Sequence, residues 1–194
     1  MTYFAITPDD TSAAQIKLRL PALQHQGISH LYLRADALQP ELGRLIPLIR
    51  RHEIMPIIPR GLYRPAYGSQ CAAHTRSAQR FEPLDVPGLV QTASCHNPEQ
   101  ACALLDSGAD YVFISPVCRP FSKPGDMRPL IETGALRMLT HRYGKRIVLL
   151  GGLTPARIDE LRAQLDAEFS VGGISMFFTP GTTDGNRTSA DIHQ

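Results

Sequence analysis

Ile147-Val148-Leu149-Leu150-Gly151-Gly152-Leu153-Thr154-Pro155 is the stretch that decides the fold. An apolar run opening on two β-branched residues reads as a buried strand, and the glycine pair ends it. Thr154 can then cap a helix whose favoured first position holds Pro155. Ile158, Leu161 and Leu165 follow at helical spacing, so strand runs into helix within a few residues. The same scheme recurs upstream. Asn97, Pro98 and Glu99 open a helix that Gly108 ends, and Asp9 to Ser12 offer capping oxygens to one carrying Ile16, Leu20 and Leu23 before Gly27.

Apolar runs suited to strands lie at 3–7, 30–34, 55–58, 71–74, 89–94, 111–115, 147–150 and 171–176. Strands alternating with helices imply parallel pairing through crossovers, and eight such units predict a small (β/α)8 TIM barrel of the α/β class. The crossovers after strands 3 and 4 are expected to be short, because 60–68 and 80–88 are rich in glycine and proline. An open doubly wound sheet is the alternative, but it usually carries glycines after its first strand, where Thr7-Pro8-Asp9-Asp10 has none. Residues 1–178 are expected to form one barrel domain with a truncated last helix, and 179–194 a polar tail.

The 194 residues are enough to bury roughly 70% of the unfolded surface without disulfides or a structural metal. Twenty basic against eighteen acidic side chains leave a formal charge of +2, too little for a nucleic-acid footprint. No apolar run approaches the ~18 residues of a membrane span, and the start of the chain does not read as a signal peptide, so a cytoplasmic protein is expected. Cys71, Cys95, Cys102 and Cys118 lack zinc or redox spacing and read as buried free thiols.

Barrel sites gather where strands end at their carboxyl side. Gly151 and Gly152 after strand 7, with Gly172, Gly173 and Ser175 in or beside strand 8, stand where barrels commonly hold a phosphate. Relief of crowding between strand and helix is the structural alternative for such glycines. Ser94 and His96 alternate with Cys95 along a strand and so share a face. If that face is the barrel mouth, His96 is an acid–base group that needs no metal; otherwise it only precedes the Asn97 cap. Arg34 closes an apolar strand and calls for an anionic partner. The loop after strand 6 brings Ser122 and Lys123, the latter either a clamp on an anion or a solvated surface lysine.

Several of these runs together carry a family likeness: 3–8, Leu31-Tyr32-Leu33-Arg34, Ser94-Cys95-His96, and above all Gly108-Ala109-Asp110-Tyr111-Val112 leading to Ser115-Pro116. With Ser122-Lys123, Leu150-Gly151-Gly152-Leu153 and Ile174-Ser175, the chain resembles the thiamine phosphate synthase/TenI superfamily over residues 3 to 178. The resemblance implies a barrel that binds thiazole phosphate. Its synthase branch joins a pyrimidine pyrophosphate to that ligand through a Gln-x-Arg-x-Lys clamp and Mg²⁺-binding aspartates. Here the clamp reads Tyr32-Leu33-Arg34-Ala35-Asp36, Pro59-Arg60 stands for an Asn-Asp pair, and His74-Thr75-Arg76-Ser77-Ala78-Gln79 lacks the second carboxylate.

The resemblance therefore favours the TenI-like branch, a thiazole tautomerase that uses no metal. It implies His96 as the catalytic acid–base, Arg34, His74, Ser94, Ser122 and Lys123 at the substrate, and Gly151, Gly152, Gly173 and Ser175 at its phosphate. No cofactor is expected, Mg²⁺ entering only if the synthase reading holds. A catalytically degenerate thiazole-phosphate-binding module is the third reading. The expected partner is the small phosphate ligand, with neither nucleic acid nor membrane; barrels of this size often pair, which makes a homodimer an expectation.

Overall fold

The computed structural model describes residues 1–119, 125 and 127–178. Eight parallel strands close into a barrel in sequence order: β1 (Thr2–Ile6), β2 (His30–Tyr32), β3 (Met55–Pro59), β4 (Ala72–Thr75), β5 (Gln91–Cys95), β6 (Tyr111–Ile114), β7 (Ile147–Leu149) and β8 (Ser170–Gly173). The ring shuts where Phe4 pairs with Gly172 and Ala5 with Gly173. Period-two alternation sorts the side chains. Phe4, Ile6, Tyr32, Ile57, Ala72, Phe113 and Val148 fill the barrel, whereas Ala5, Leu31, Ile58, Val112, Ile114 and Leu149 face the surrounding helices.

The helices are α1 (Ala13–His25), α2 (Leu42–Arg51), α3 (Pro98–Asp106), α4 (Thr133–Tyr143), α5 (Pro155–Leu165) and the short α6 (Ser175–Phe178). The expected caps form. Ser12 and Gln15 make a reciprocal capping box on α1, Asn97 accepts from the Gln100 amide at 2.7 Å, and Thr154 from the Arg157 amide at 3.2 Å. Each cap starts its helix soon after a strand, holding the strand's carboxyl end at the same face of the ring. Ile16, Leu20 and Leu23 of α1 are buried as their spacing requires, and so are Ile158, Leu161 and Leu165 of α5.

Two 3₁₀ turns, Arg60–Leu62 and Pro65–Gln70, replace a helix after β3, and the chain runs from β4 to β5 with no helix at all. The glycines and prolines of these segments supply the reason. One boundary differs from the sequence reading. Strand 8 was expected to run to 176, but it ends at Gly173, and Ser175 opens α6. The amides of Phe177 and Phe178 both donate to the Ile174 carbonyl, and this turn buries Phe177 in the cluster around α1 and α2. Aromatic residues with strand propensity are thus used in a helical turn because burial outweighs propensity. The tail 179–194 lies outside the described residues.

Candidate active site at the carboxyl ends of the strands

Inward positions of β4 and β5 turn polar just where the apolar filling of the barrel ends. His74 is 1% exposed. Its Nδ1 lies 2.7 Å from Thr92 Oγ1 and its Nε2 2.7 Å from Ser94 Oγ, while the rings of Tyr32 and Phe113 flank it. Burial, with a smaller contribution from the Arg76 charge, pushes its pKa down to about 3. The ring is therefore neutral at pH 7, and with both nitrogens engaged it orients Ser94 toward the cavity above.

His96 follows β5 on the face of Ser94, and Cys95 points the other way into the helix layer. Its Nδ1 lies 2.9 Å from the Ser115 carbonyl oxygen at the end of β6. A carbonyl only accepts, so this bond puts a proton on Nδ1 and turns Nε2 away from β6. Nη1 of Arg128 lies 2.8 Å from each ring nitrogen. A nitrogen equidistant from both lies on neither lone pair, so this contact is not a directed hydrogen bond.

Arg34 finds its anionic partner within the chain, an ion pair with Asp9 at 3.0 Å. Arg76 pairs with Asp36 at 2.7 Å and also donates to the Arg34 carbonyl at 3.1 Å. Both carboxylates, with Arg34 and Arg76, line a second cavity that shares these two arginines with the one above Ser94.

On the opposite side, Gly151 and Gly152 take positive φ of 102° and 57°. A Cβ on Gly152 would stand 2.0 Å from the Arg119 carbonyl oxygen, and one on Gly172 2.4 Å from Leu150 Cδ2. Crowding therefore explains these two glycines by itself, as the structural alternative held. A Cβ on Gly173 would meet nothing closer than 3.4 Å.

One cavity of about 320 Å³ brings these groups together. Arg34, His74, Ser94, His96, Gly151, Gly152, Gly173 and Ser175 all line it; Ser122 and Lys123 lie outside the described residues. Two lining arginines, Arg76 and Arg128, are not among the site residues expected from the sequence. Arg76 was legible only as a departure from a family motif, and Arg128 has no local pattern to mark it. The described lining contains three arginines and two histidines but no carboxylate. Asp9 and Asp36 are taken by Arg34 and Arg76, and no group of three or more His, Cys, Asp or Glu suited to a metal occurs among the described residues. Such a donor set suits phosphate oxygens and does not fit Mg²⁺, which needs oxygen ligands with carboxylates among them.

A family model described as thiamine monophosphate synthase matches residues 65–177, more than half of the chain. The chain belongs to the thiamine monophosphate synthase family. The matched stretch runs from before β4 to α6, so it takes in every residue of the cavity lining except Ile6, Tyr32 and Arg34. Among solved structures, thiamine phosphate pyrophosphorylase from Pyrococcus furiosus is similar at a TM-score of 0.65 and 17% identity, over 90% of this chain and 85% of that one. The Bacteroides thetaiotaomicron thiamine phosphate pyrophosphorylase gives 0.65 and 20%, over 96% and 90%. An HpcH/HpaI aldolase from Desulfitobacterium hafniense gives 0.57 and 9%, over 89% and 86%. At such identities the likeness is one of fold. Comparison with curated proteins gives no match. For this member of the thiamine monophosphate synthase family, no described helix is long and apolar enough to cross a membrane.

Proposed function

We propose that the protein binds thiazole phosphate and acts as a thiazole tautomerase, with His96 carrying the proton and no Mg²⁺ taking part. The observation that carries this reading is that His96 and three arginines line one cavity whose described lining has no carboxylate. A synthase must neutralise a leaving diphosphate, for which divalent ions held by acids are the usual means. A tautomerase only has to move a proton between two positions of one substrate, and an imidazole does that near neutral pH.

In this reading Nε2 of His96 takes a proton from the bound thiazole and returns it at a second position, with no net change in the enzyme. The Ser115 carbonyl holds Nδ1–H and so keeps the basic nitrogen turned to the substrate. Arg34 and Arg76 hold the substrate carboxylate, and the rim of Gly151, Gly152, Gly173 and Ser175 receives the phosphate. Ser94, oriented by the neutral His74, offers a hydroxyl to the ring.

The test is turnover. The purified protein is incubated with the thiazole tautomer, and separately with pyrimidine pyrophosphate, thiazole phosphate and Mg²⁺. Aromatisation in the first assay supports the tautomerase, and thiamine phosphate in the second identifies a synthase. His96→Asn should lower tautomerisation by about a hundredfold or more while thiazole phosphate still binds. Undiminished turnover in that variant removes His96 from the mechanism, and binding without turnover in either assay leaves a binding module.

A further inference from the structure

We propose that Ser94 determines specificity for the ring of the ligand: Thr92, acting through His74, fixes the Ser94 hydroxyl as a donor into the cavity, so the site selects a ring with an unprotonated nitrogen at that point. The inference deepens the reading of the cavity as a thiazole phosphate site and rests on it, but it does not depend on His96 or on turnover.

A chain of three side chains carries it. Thr92 Oγ1 lies 2.7 Å from Nδ1 of His74, and Ser94 Oγ lies 2.7 Å from its Nε2. A neutral imidazole has one N–H and one lone pair, and each hydroxyl donates once, so the chain has two polarities open to it. In one, Nδ1–H donates to Thr92 and Ser94 donates to Nε2. In the other, Thr92 donates to Nδ1 and Nε2–H donates to Ser94.

Burial decides between them. Thr92 is 0% exposed, and among the described residues His74 is the one hydrogen-bond partner of its hydroxyl. The first polarity would therefore bury the Thr92 proton with no acceptor, a loss that the second avoids. In the second, each interior donor is satisfied and the one proton left over is that of Ser94, which lines the cavity. Burial also holds His74 neutral at pH 7, so the chain keeps this proton count.

The surroundings say what that proton meets. The His74 ring centre lies 4.4 Å from that of Tyr32 and 5.2 Å from that of Phe113, and all three side chains line the cavity. Such an aromatic floor takes a flat ring, and Ser94 stands at its edge through the bond to Nε2. A ring that excludes water but turns a C–H to Ser94 leaves the hydroxyl proton unpaired, which is how a polar site rejects an analogue lacking its acceptor.

Two measurements at pH 7 test this. Imidazole ¹⁵N signals of His74, assigned by their loss in His74→Gln, report which ring nitrogen carries the proton in the ligand-free chain, and Nε2 is expected. Calorimetry then compares thiazole phosphate with its thiophene analogue, in which C–H replaces the ring nitrogen. The wild type should bind thiazole phosphate about tenfold more tightly than the analogue, the cost of one unpaired donor. Ser94→Ala should bind the two about equally, and Ser94→Thr, which keeps the hydroxyl, should restore part of the preference. Because each ratio is taken within one protein, a general loosening of the cavity cancels.

A proton on Nδ1 of His74 in the wild type overturns the proposal. So does a wild type that binds both ligands alike, or a Ser94→Ala that keeps the preference, and these results leave the tautomerase reading untouched. Absence of thiazole phosphate binding by the wild type overturns both this selection and the reading of the cavity. Selective binding without any tautomerisation supports the role of Ser94 and removes only the reaction.

Discussion

At the scale of single residues, His74 shows how burial fixes a protonation state and then a geometry. Its folded pKa lies near 3 against an ordinary value of 6.5, so below pH 6.5 the unfolded chain binds a proton that the folded chain refuses. Stability is whole above pH 6.5 and is lost progressively as pH falls toward 3. At pH 5 the loss is about 2 kcal/mol from this residue alone, one and a half pH units at about 1.4 kcal/mol each. His30, pushed down to about 4 by burial and then by the Arg50 charge, adds a loss in the same direction. Urea unfolding at pH 7.5 and pH 5.0 checks this. His74→Gln should lose about 2 kcal/mol less between the two pH values than the wild type, and equal losses would show that His74 does not carry the linkage.

At the scale of elements, the junction of β6 and β7 builds the site. Val117 and Cys118 donate to the carbonyls of Leu150 and Gly151, and the chain then passes so close to Gly152 that no side chain fits there. Gly152→Ala should cost about 2–4 kcal/mol, combining a left-handed alanine with displacement of the Arg119 backbone. Gly173→Ala, with its nearest contact at 3.4 Å and an ordinary φ, should cost under about 1 kcal/mol. Comparable costs for the two, measured by chemical denaturation, would contradict the packing account. The loss at Gly152 should extend to His96, because Ser115 and Arg128, which touch its ring, flank the displaced segment.

At the scale of the whole molecule, closure makes the two outer layers interdependent. Cys71 is buried in the cluster beside α1 and α2 and Cys95 in the one beside α3, α4 and α5, their thiols raised by burial to about 11 and about 12. Neither layer is continuous without the ring between them. Both thiols should therefore react with a thiol reagent only through one common opening, with free energies equal within about 1 kcal/mol and near that of global unfolding. Labelling at different urea concentrations measures this, and a gap above about 2 kcal/mol would mean that the halves open separately. Cys102 and Cys118, half-buried, should react first.

The sequence by itself determined the ring of eight strands, the caps at Asn97 and Thr154 with a third within Asp9 to Ser12, and which strand ends carry polar side chains. These are short-range properties: alternation, helical spacing and capping act within a few residues and survive any arrangement of the rest. The sharing of one cavity by Arg34, His74, Ser94, His96, Gly151, Gly152, Gly173 and Ser175 then followed from the barrel's habit of collecting strand ends. What only the tertiary structure decided were contacts between distant segments. Arg34 is met by Asp9, Gly152 is pressed against Arg119, and Arg128 rests on His96 across 32 residues of sequence. Ser175 left the eighth strand for a helical turn because Phe177 found a buried place beside α1 and α2. No local pattern encodes these outcomes, since each depends on where a returning chain comes to lie once the ring has closed.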